Sequence, residues 1–136
     1  MKEHFVNYNQ ALALKELGFD EPCWCYFVND VFFDSMFPKD YDYFEQMNKK
    51  MEYTLAPLKS QVFKWFRNDH KLESNIIFHE CYYEHGDKNV YEVNIESSVD
   101  YNVQLHITPI EGFKTYEEAE SACIDKLISV IKEKKS

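Results

Sequence analysis

The sequence predicts a small single domain of the α+β class, with helices packed on antiparallel sheet. Three observations support this prediction. The chain has 136 residues, a usual length for one domain. Aromatic residues make up 17% of it, enough to form a packed core. Helix-capping patterns lie near both ends of the chain, and segments of alternating apolar and polar residues lie between them. We expect a hairpin plus a three-stranded meander, with the C-terminal helix on the sheet.

The first helix is predicted from Tyr8 to Leu17. Asn7 and Gln10 have the spacing of a capping box, in which each side chain accepts a hydrogen bond from the other residue's backbone. Gly18 follows the last turn, where a left-handed conformation commonly ends a helix. Both ends of this helix are therefore defined by local sequence.

A hairpin is predicted next. Two aromatic-rich runs, Cys23 to Val28 and Val31 to Phe33, are separated by Asn29 and Asp30, which are typical of a two-residue turn. In the segment that follows, a short helix from about Tyr41 to Met51 is possible.

Two more helices are predicted further along the chain. One begins with Pro57 at its first helical position, where the missing N–H costs nothing, and ends near Lys71. The last helix follows a capping box formed by Thr115 and Glu118, with glutamates in its first turns and lysines at its end. The apolar face of the first of these comprises Leu58, Val62, Trp65 and Phe66. The apolar stripe of the last comprises Ala119, Ala122, Cys123, Leu127, Val130 and Ile131.

Three antiparallel strands are predicted between these two helices. The turn-rich residues 86–89 connect the first two strands, and a three-residue loop, Ser97 to Val99, connects the second to the third. The second connection pairs Ile95 with Tyr101 and Val93 with Val103, so that apolar residues share a face. The predicted strands are Ile76–His85, Val90–Glu96 and Tyr101–Thr108.

Four glutamates on the first two of these strands form a candidate partner-binding surface whose arrangement depends on the hairpin register. A turn with an odd number of residues places all four on one face. An even number separates them and puts two of them on the apolar face. We favour the odd turn, because burying an unpaired carboxylate costs more than exposing like charges side by side. The four are Glu80, Glu84, Glu92 and Glu96.

The charge of the chain restricts its partners. The formal net charge is -9, and acidic residues greatly outnumber lysines between residues 69 and 125. Direct binding to nucleic acid is therefore disfavoured, because a polyanion requires clustered Lys or Arg. The acidic region is either a solvated sheet face or a surface for a basic protein partner. The aromatic cluster from Phe32 to Phe44 either completes the core or anchors a partner, and in the second case Phe37, Tyr41 and Tyr43 are its candidate residues.

Known catalytic motifs are missing from the sequence. Three glycines, each isolated, exclude the glycine-rich phosphate-binding loops, and we expect no cofactor. One weak candidate for a metal site remains: His79, Cys81 and His85 share a strand face, with His106 nearby. The four cysteines have no framework spacing and are expected to be small buried side chains. No apolar leader or membrane span is visible, so we expect a cytoplasmic protein.

Three blocks of the sequence, residues 11–23, 60–67 and 115–120, carry a resemblance. They resemble small uncharacterised proteins encoded by gut bacteria and by their phages and integrated mobile elements, a family with no assigned activity, cofactor or site. Together with the missing catalytic motifs, this resemblance implies a noncatalytic accessory protein that binds another protein. The alternatives are an acidic mimic of nucleic acid that inhibits a DNA-binding protein, and an enzyme that binds a metal or a small molecule.

Overall fold

A computed structural model describes residues 2–34, 53–83, 86–108 and 112–135, with side chains for all of these except residues 53, 80–83 and 86–89. Within them the chain forms three α-helices and two three-stranded antiparallel sheets, which confirms the α+β class. The chain divides into two compact units, Met1–Gln61 and Val62–Ser136. That the chain is a single domain stays a prediction, and the helix predicted from Tyr41 to Met51 lies outside the described residues.

Helix α1 spans Tyr8–Glu16 and is capped as predicted. The Asn7 side chain accepts a hydrogen bond from the backbone N–H of Gln10 at 2.8 Å, and the Gln10 side chain accepts one from the N–H of Asn7 at 3.0 Å. Gly18 follows in the left-handed region, with φ 96°. The first helix is therefore defined at both ends by the residues identified from sequence.

The first sheet consists of β1 (Cys25–Val28), β2 (Val31–Asp34) and β3 (Tyr53–Ala56), in the order β2-β1-β3. The predicted two-residue turn is confirmed, because Val28 pairs with Val31 and Asn29 takes the left-handed conformation that such a turn needs. β3 was not predicted. It pairs antiparallel with β1 along its whole length.

One face of the first sheet forms a core with α1. The register places Cys25 opposite Ala56 and Phe27 opposite Thr54, and all four residues are buried. α1 packs against β3, and its residues Ala11 and Leu14 are buried too. We refer to this as the inner face of the first sheet.

Helix α2 spans Lys59–Asp69 and begins later than predicted. Pro57 lies before the helix, where its carbonyl accepts a hydrogen bond from the N–H of Val6 at 3.1 Å. The N–H of Leu58 is capped by the Gln61 side chain at 2.9 Å. The helix starts late because the chain first completes β3 and a bridge between Leu58 and Phe5.

The second sheet consists of β4 (Leu72–Tyr83), β5 (Gly86–Ser97) and β6 (Gln104–Ile107), in that order. Tyr83 pairs with Gly86, so residues 86–89 belong to β5. The turn predicted over residues 86–89 is wrong. The odd register favoured from sequence is wrong as well, because even-numbered residues of β4 pair with odd-numbered residues of β5.

The physical reason for this register lies at the start of β4. The strand begins at Leu72, ahead of the predicted start at Ile76, and Leu72 shares a face with Val93 and Ile95, the three side chains being almost completely buried. The favoured register would have directed Ile77 to this face. In the structure Ile77 lies on the other face and is partly exposed.

The pairing of β5 with β6 keeps the predicted parity but is shifted along the chain. Leu105 and Ile107 take the places predicted for Tyr101 and Val103, opposite Ile95 and Val93. The connecting loop is longer than predicted because the Ser97 hydroxyl accepts hydrogen bonds from two loop N–H groups, at 3.2 and 2.9 Å. Tyr101 therefore lies in the loop and is 90% exposed.

Helix α3 spans Tyr116–Lys135 and packs on β5 and β4, as predicted for the C-terminal helix. The Thr115 hydroxyl accepts a hydrogen bond from the N–H of Glu118 at 3.1 Å, and the Glu118 carboxylate accepts one from the N–H of Lys114 at 3.3 Å. Its buried side chains are those of Ala119, Cys123, Ile124, Leu127, Ile128, Val130 and Ile131.

We predict that Gly112→Ala destabilises the protein more than Gly18→Ala. Both glycines have positive φ, so both changes add left-handed strain of about 1–2 kcal/mol. A Cβ on Gly18 meets nothing within 4 Å, whereas one on Gly112 would lie 2.5 Å from Val90 Cβ. That overlap adds about 1–3 kcal/mol. Urea unfolding of both variants measures the difference, and equal losses would contradict the close approach of Gly112 to Val90.

A second prediction concerns His70, which packs against Trp65 with ring centroids 4.6 Å apart. Burial lowers the pKa of His70, with further lowering from Lys135 and Lys134. Unfolding raises this pKa again, so the unfolded chain binds the proton more readily. Stability should therefore fall as pH decreases through about 6.5, the ordinary pKa of histidine. Unfolding of wild type and His70→Gln between pH 7.5 and 5.5 should show a smaller decline in the variant; identical declines would exclude this role.

Candidate functional site

The face of the second sheet that points away from α3 is polar, and we call it the outer face. Side chains alternate between the two faces of a strand, so the residues of β5 that alternate with the buried ones lie on the outer face. Their cross-strand partners on β4 and β6 lie on the same face. Among the residues with described side chains, the outer face comprises Glu73, Asn75, Ile77, His79, Val90, Glu92, Asn94, Glu96, Gln104 and His106.

Three side chains from three strands meet on the outer face. His79 Nε2 lies 2.6 Å from Glu92 Oε2, and His106 Nδ1 lies 3.4 Å from Glu92 Oε1. Glu92 is on the central strand, so its carboxylate bridges the two imidazoles. Both histidines remain largely exposed. An open position of this kind favours a weak electrostatic cluster over a water-excluded catalytic centre.

The predicted metal set is only partly within the described side chains. His79 and His106 are brought close together, but both face the Glu92 carboxylate. Cys81 has no described side chain, and His85 lies outside the described residues. Among the side chains that are described, no group of three or more His, Cys, Asp or Glu is arranged to hold a metal ion. The metal site stays a prediction.

The structure separates the four predicted glutamates. Glu92 and Glu96 lie on the outer face, whereas Glu80 pairs with Asn89 at a strand position belonging to the opposite face. Glu84 lies outside the described residues. A surface with all four on one face is therefore wrong, because even-numbered residues of β4 pair with odd-numbered residues of β5. The sequence analysis missed Glu73, which lies directly opposite Glu96, because β4 begins earlier than predicted.

A second candidate surface lies on the first sheet, on the face opposite its core. Tyr26 and Phe33 are cross-strand partners there, and their rings stack with centroids 5.7 Å apart and planes 6° apart. Val31 and Phe33 are 54% and 43% exposed, and Trp24, just before β1, is 66% exposed. We call Trp24, Tyr26, Val31 and Phe33 the aromatic patch.

The structure places two residues of the aromatic cluster that runs from Phe32 to Phe44 in the sequence. Phe32 turns inward and packs against Phe5 and Phe27, with ring centroids 5.4 and 5.6 Å away. Its neighbour Phe33 turns outward. The predicted anchors Phe37, Tyr41 and Tyr43 lie outside the described residues. Trp24 was not singled out from sequence, although it stands two positions before Tyr26 and extends the same alternation.

Acidic residues lie near the aromatic patch in the sequence. Asp30 lies in the turn beside Val31 and is exposed. Asp34 ends β2 and is exposed as well, but it pairs with Cys25 on the strand face opposite the patch. From Glu16 to Asp34 the chain contains five acidic residues and no Lys, Arg or His. The segment that carries the patch is therefore negatively charged.

The cysteines with described side chains are poorly suited to nucleophilic chemistry. Cys25 and Cys123 are buried, as predicted, and Cys23 is half-buried. Burial is the main cause that raises the pKa of Cys23 and of Cys123 to about 12. Since the thiolate is the reactive form, neither side chain is an activated nucleophile at neutral pH.

Comparison with protein-family models, with curated proteins and with solved structures finds no match to this chain. The resemblance to small proteins of gut bacteria and their mobile elements therefore stays a prediction. None of the helices in the described part of the chain has the length and apolar character needed to cross a membrane.

We predict that Glu73→Lys stabilises the protein. Glu73 and Glu96 are exposed cross-strand partners with like charge, and replacing one by lysine converts repulsion into attraction, worth about 0.2–1 kcal/mol. Glu73→Gln is the matched control and should give a smaller gain. Urea unfolding at low salt measures both, and added salt of about 1 M should reduce the gain through screening. A loss of stability in the lysine variant would contradict this pairing.

Proposed function

We propose that this chain is a noncatalytic protein-binding module whose aromatic patch takes a basic, amphipathic segment of another protein. The exposure of Trp24, Val31 and Phe33 beside the Tyr26 ring carries this proposal. Exposed apolar residues that form a contiguous patch are typical of interaction surfaces, and Trp and Tyr are the residues that most often dominate binding energy.

Two members of the aromatic patch, Tyr26 and Phe33, are held in place before any partner binds. Tyr26 and Phe33 lie on paired strands, their rings stack, and β1 is paired on both sides, with β2 and β3. Side chains that are already ordered lose little conformational entropy on binding. This supports a surface built for recognition.

The charge near the patch selects the partner. The acidic residues of the segment 16–34 repel nucleic acid and the anionic surface of a membrane, and they attract Lys and Arg. A complementary segment therefore alternates aromatic or aliphatic residues with basic ones. Such a segment also agrees with the basic protein partner that the overall charge left as one of two alternatives.

The other functions considered from sequence have less support. The acidic mimic of nucleic acid depended on four glutamates on one face, and the register separates them. An enzyme with a metal site gains no support from His79 and His106, which share a carboxylate on an open surface. An accessory role in a phage or mobile element, suggested by the three sequence blocks, fits a small binding module.

Selection of short random peptides displayed on phage, against the immobilised full chain, tests this proposal. We expect enriched peptides to combine aromatic residues with Lys or Arg. Replacing Trp24 and Phe33 together by Ser should weaken their binding at least about tenfold, the loss expected from removing interface anchors.

The matched control replaces Val99 and Tyr101 by Ser, because these are also large hydrophobic residues and are more exposed, but they lie in the β5–β6 loop. The control should bind the selected peptides like wild type. The proposal is overturned if the peptides lack basic residues, if the Trp24 and Phe33 variant binds them normally, or if sedimentation shows that the patch instead joins two copies of this chain.

A further inference from the structure

β2 lies at an edge of the first sheet. Among the strands that the structure describes, the order β2-β1-β3 gives β2 a neighbour on one side only. In an antiparallel pair, residues that bond to the neighbouring strand alternate with residues whose N–H and C=O groups point away from it. The outward-pointing groups of an edge strand are a template for a further strand.

The hairpin register identifies the outward-pointing groups of β2. Val28 and Val31 pair across the two-residue turn, where a hydrogen-bonded pair closes the hairpin. Two positions further along β2, Phe33 bonds to β1 in the same way. The N–H and C=O groups of Phe32 and Asp34 therefore point away from β1, where a partner strand can bond to them.

The two faces of β2 differ in their chemistry. Val31 and Phe33 belong to the aromatic patch and are 54% and 43% exposed. Asp34 is exposed too, but it lies on the inner face opposite Cys25, whose thiol donates a hydrogen bond to its Oδ1 atom at 3.7 Å. A partner that lies flat on the aromatic patch therefore does not contact this carboxylate.

An extended segment beside β2 contacts both faces. Residues of an added strand alternate between the two faces and lie about 4.5–5.5 Å from their cross-strand neighbours. Aromatic or aliphatic residues of the segment then pack on Val31 and Phe33, and the basic residues between them lie beside Asp34.

We propose that the basic segment binds in this way, as a β-strand added to the edge of β2, a mode of binding that rests on the function proposed above. In strand addition the main-chain hydrogen bonds give affinity, and alternate side chains give specificity. The alternation of apolar and basic residues in the partner is then a requirement of the two faces of β2.

N-methylation of the tightest-binding peptide from the phage selection, one residue at a time, tests this mode of binding on the full chain. Each methyl group removes one backbone donor. We expect binding to weaken about fivefold or more at two peptide residues that are two positions apart, the donors to the carbonyls of Phe32 and Asp34. Methylation of the residue between them should have little effect.

Hydrogen exchange followed by NMR tests the same edge from the side of the protein. The backbone amides of Phe32 and Asp34 should exchange rapidly in the free chain and slow by about tenfold or more with saturating peptide. The amides of Val31 and Phe33 bond to β1 already, so they should change less and serve as the internal control.

Asp34→Asn tests the contact on the inner face. It should weaken binding of the peptide about twofold to fivefold, the loss expected from removing an exposed ion pair. Asp20→Asn is the matched control, because it removes the same charge from an exposed position outside the sheet, and it should bind like wild type. Thermal unfolding shows whether both variants have folded.

Three results would overturn strand addition while the proposed binding module stands: N-methyl effects without the two-residue alternation, amides of Phe32 and Asp34 that are already protected in the free chain, or equal binding by Asp34→Asn and Asp20→Asn. A selection that yields no peptides with aromatic and basic residues would overturn both this mode of binding and the proposed function.

Discussion

The alternation of side chains along β5 is the constraint on which the second unit depends. Val93 and Ile95 are completely buried beneath α3, so the residues next to them in the strand must point the other way. Those residues are Glu92, Asn94 and Glu96, and the two glutamates make the outer face acidic. The two neighbouring strands must then supply apolar partners on the α3 side, which Leu72, Leu105 and Ile107 do. The outer face is therefore acidic because the opposite face of the same strands is buried.

Local interactions explain what could be predicted from the sequence. The caps of α1 and α3 and the Asn29-Asp30 turn each involve residues a few positions apart, and each was predicted at the right residues. The register of β4 and β5 was not, because it depends on burying Leu72 far from the turn. Residues 86–89 have turn-like composition, but pairing over the full hairpin outweighs that preference.

The candidate sites, too, were predictable only as far as they depend on local sequence. Sequence composition identified aromatic residues and glutamates as the groups of interest, but only the pairing of the strands determines that Phe32 turns inward and Phe33 outward. β3 could not be predicted at all, because it is a strand of four residues whose partner β1 is distant in the chain.

The pairing of β3 with β1 also determines the order in which the first unit can form during synthesis. α1 and the β1–β2 hairpin join neighbours in sequence, so their closure costs little entropy and they can form as soon as they emerge from the ribosome. β3 follows only after residues 35–52 have been made. In that interval Cys25 and Phe27 lack the strand that later pairs beside them. The nascent chain therefore exposes an incomplete sheet edge, and the speed of translation across residues 35–52 sets how long that aggregation-prone edge persists.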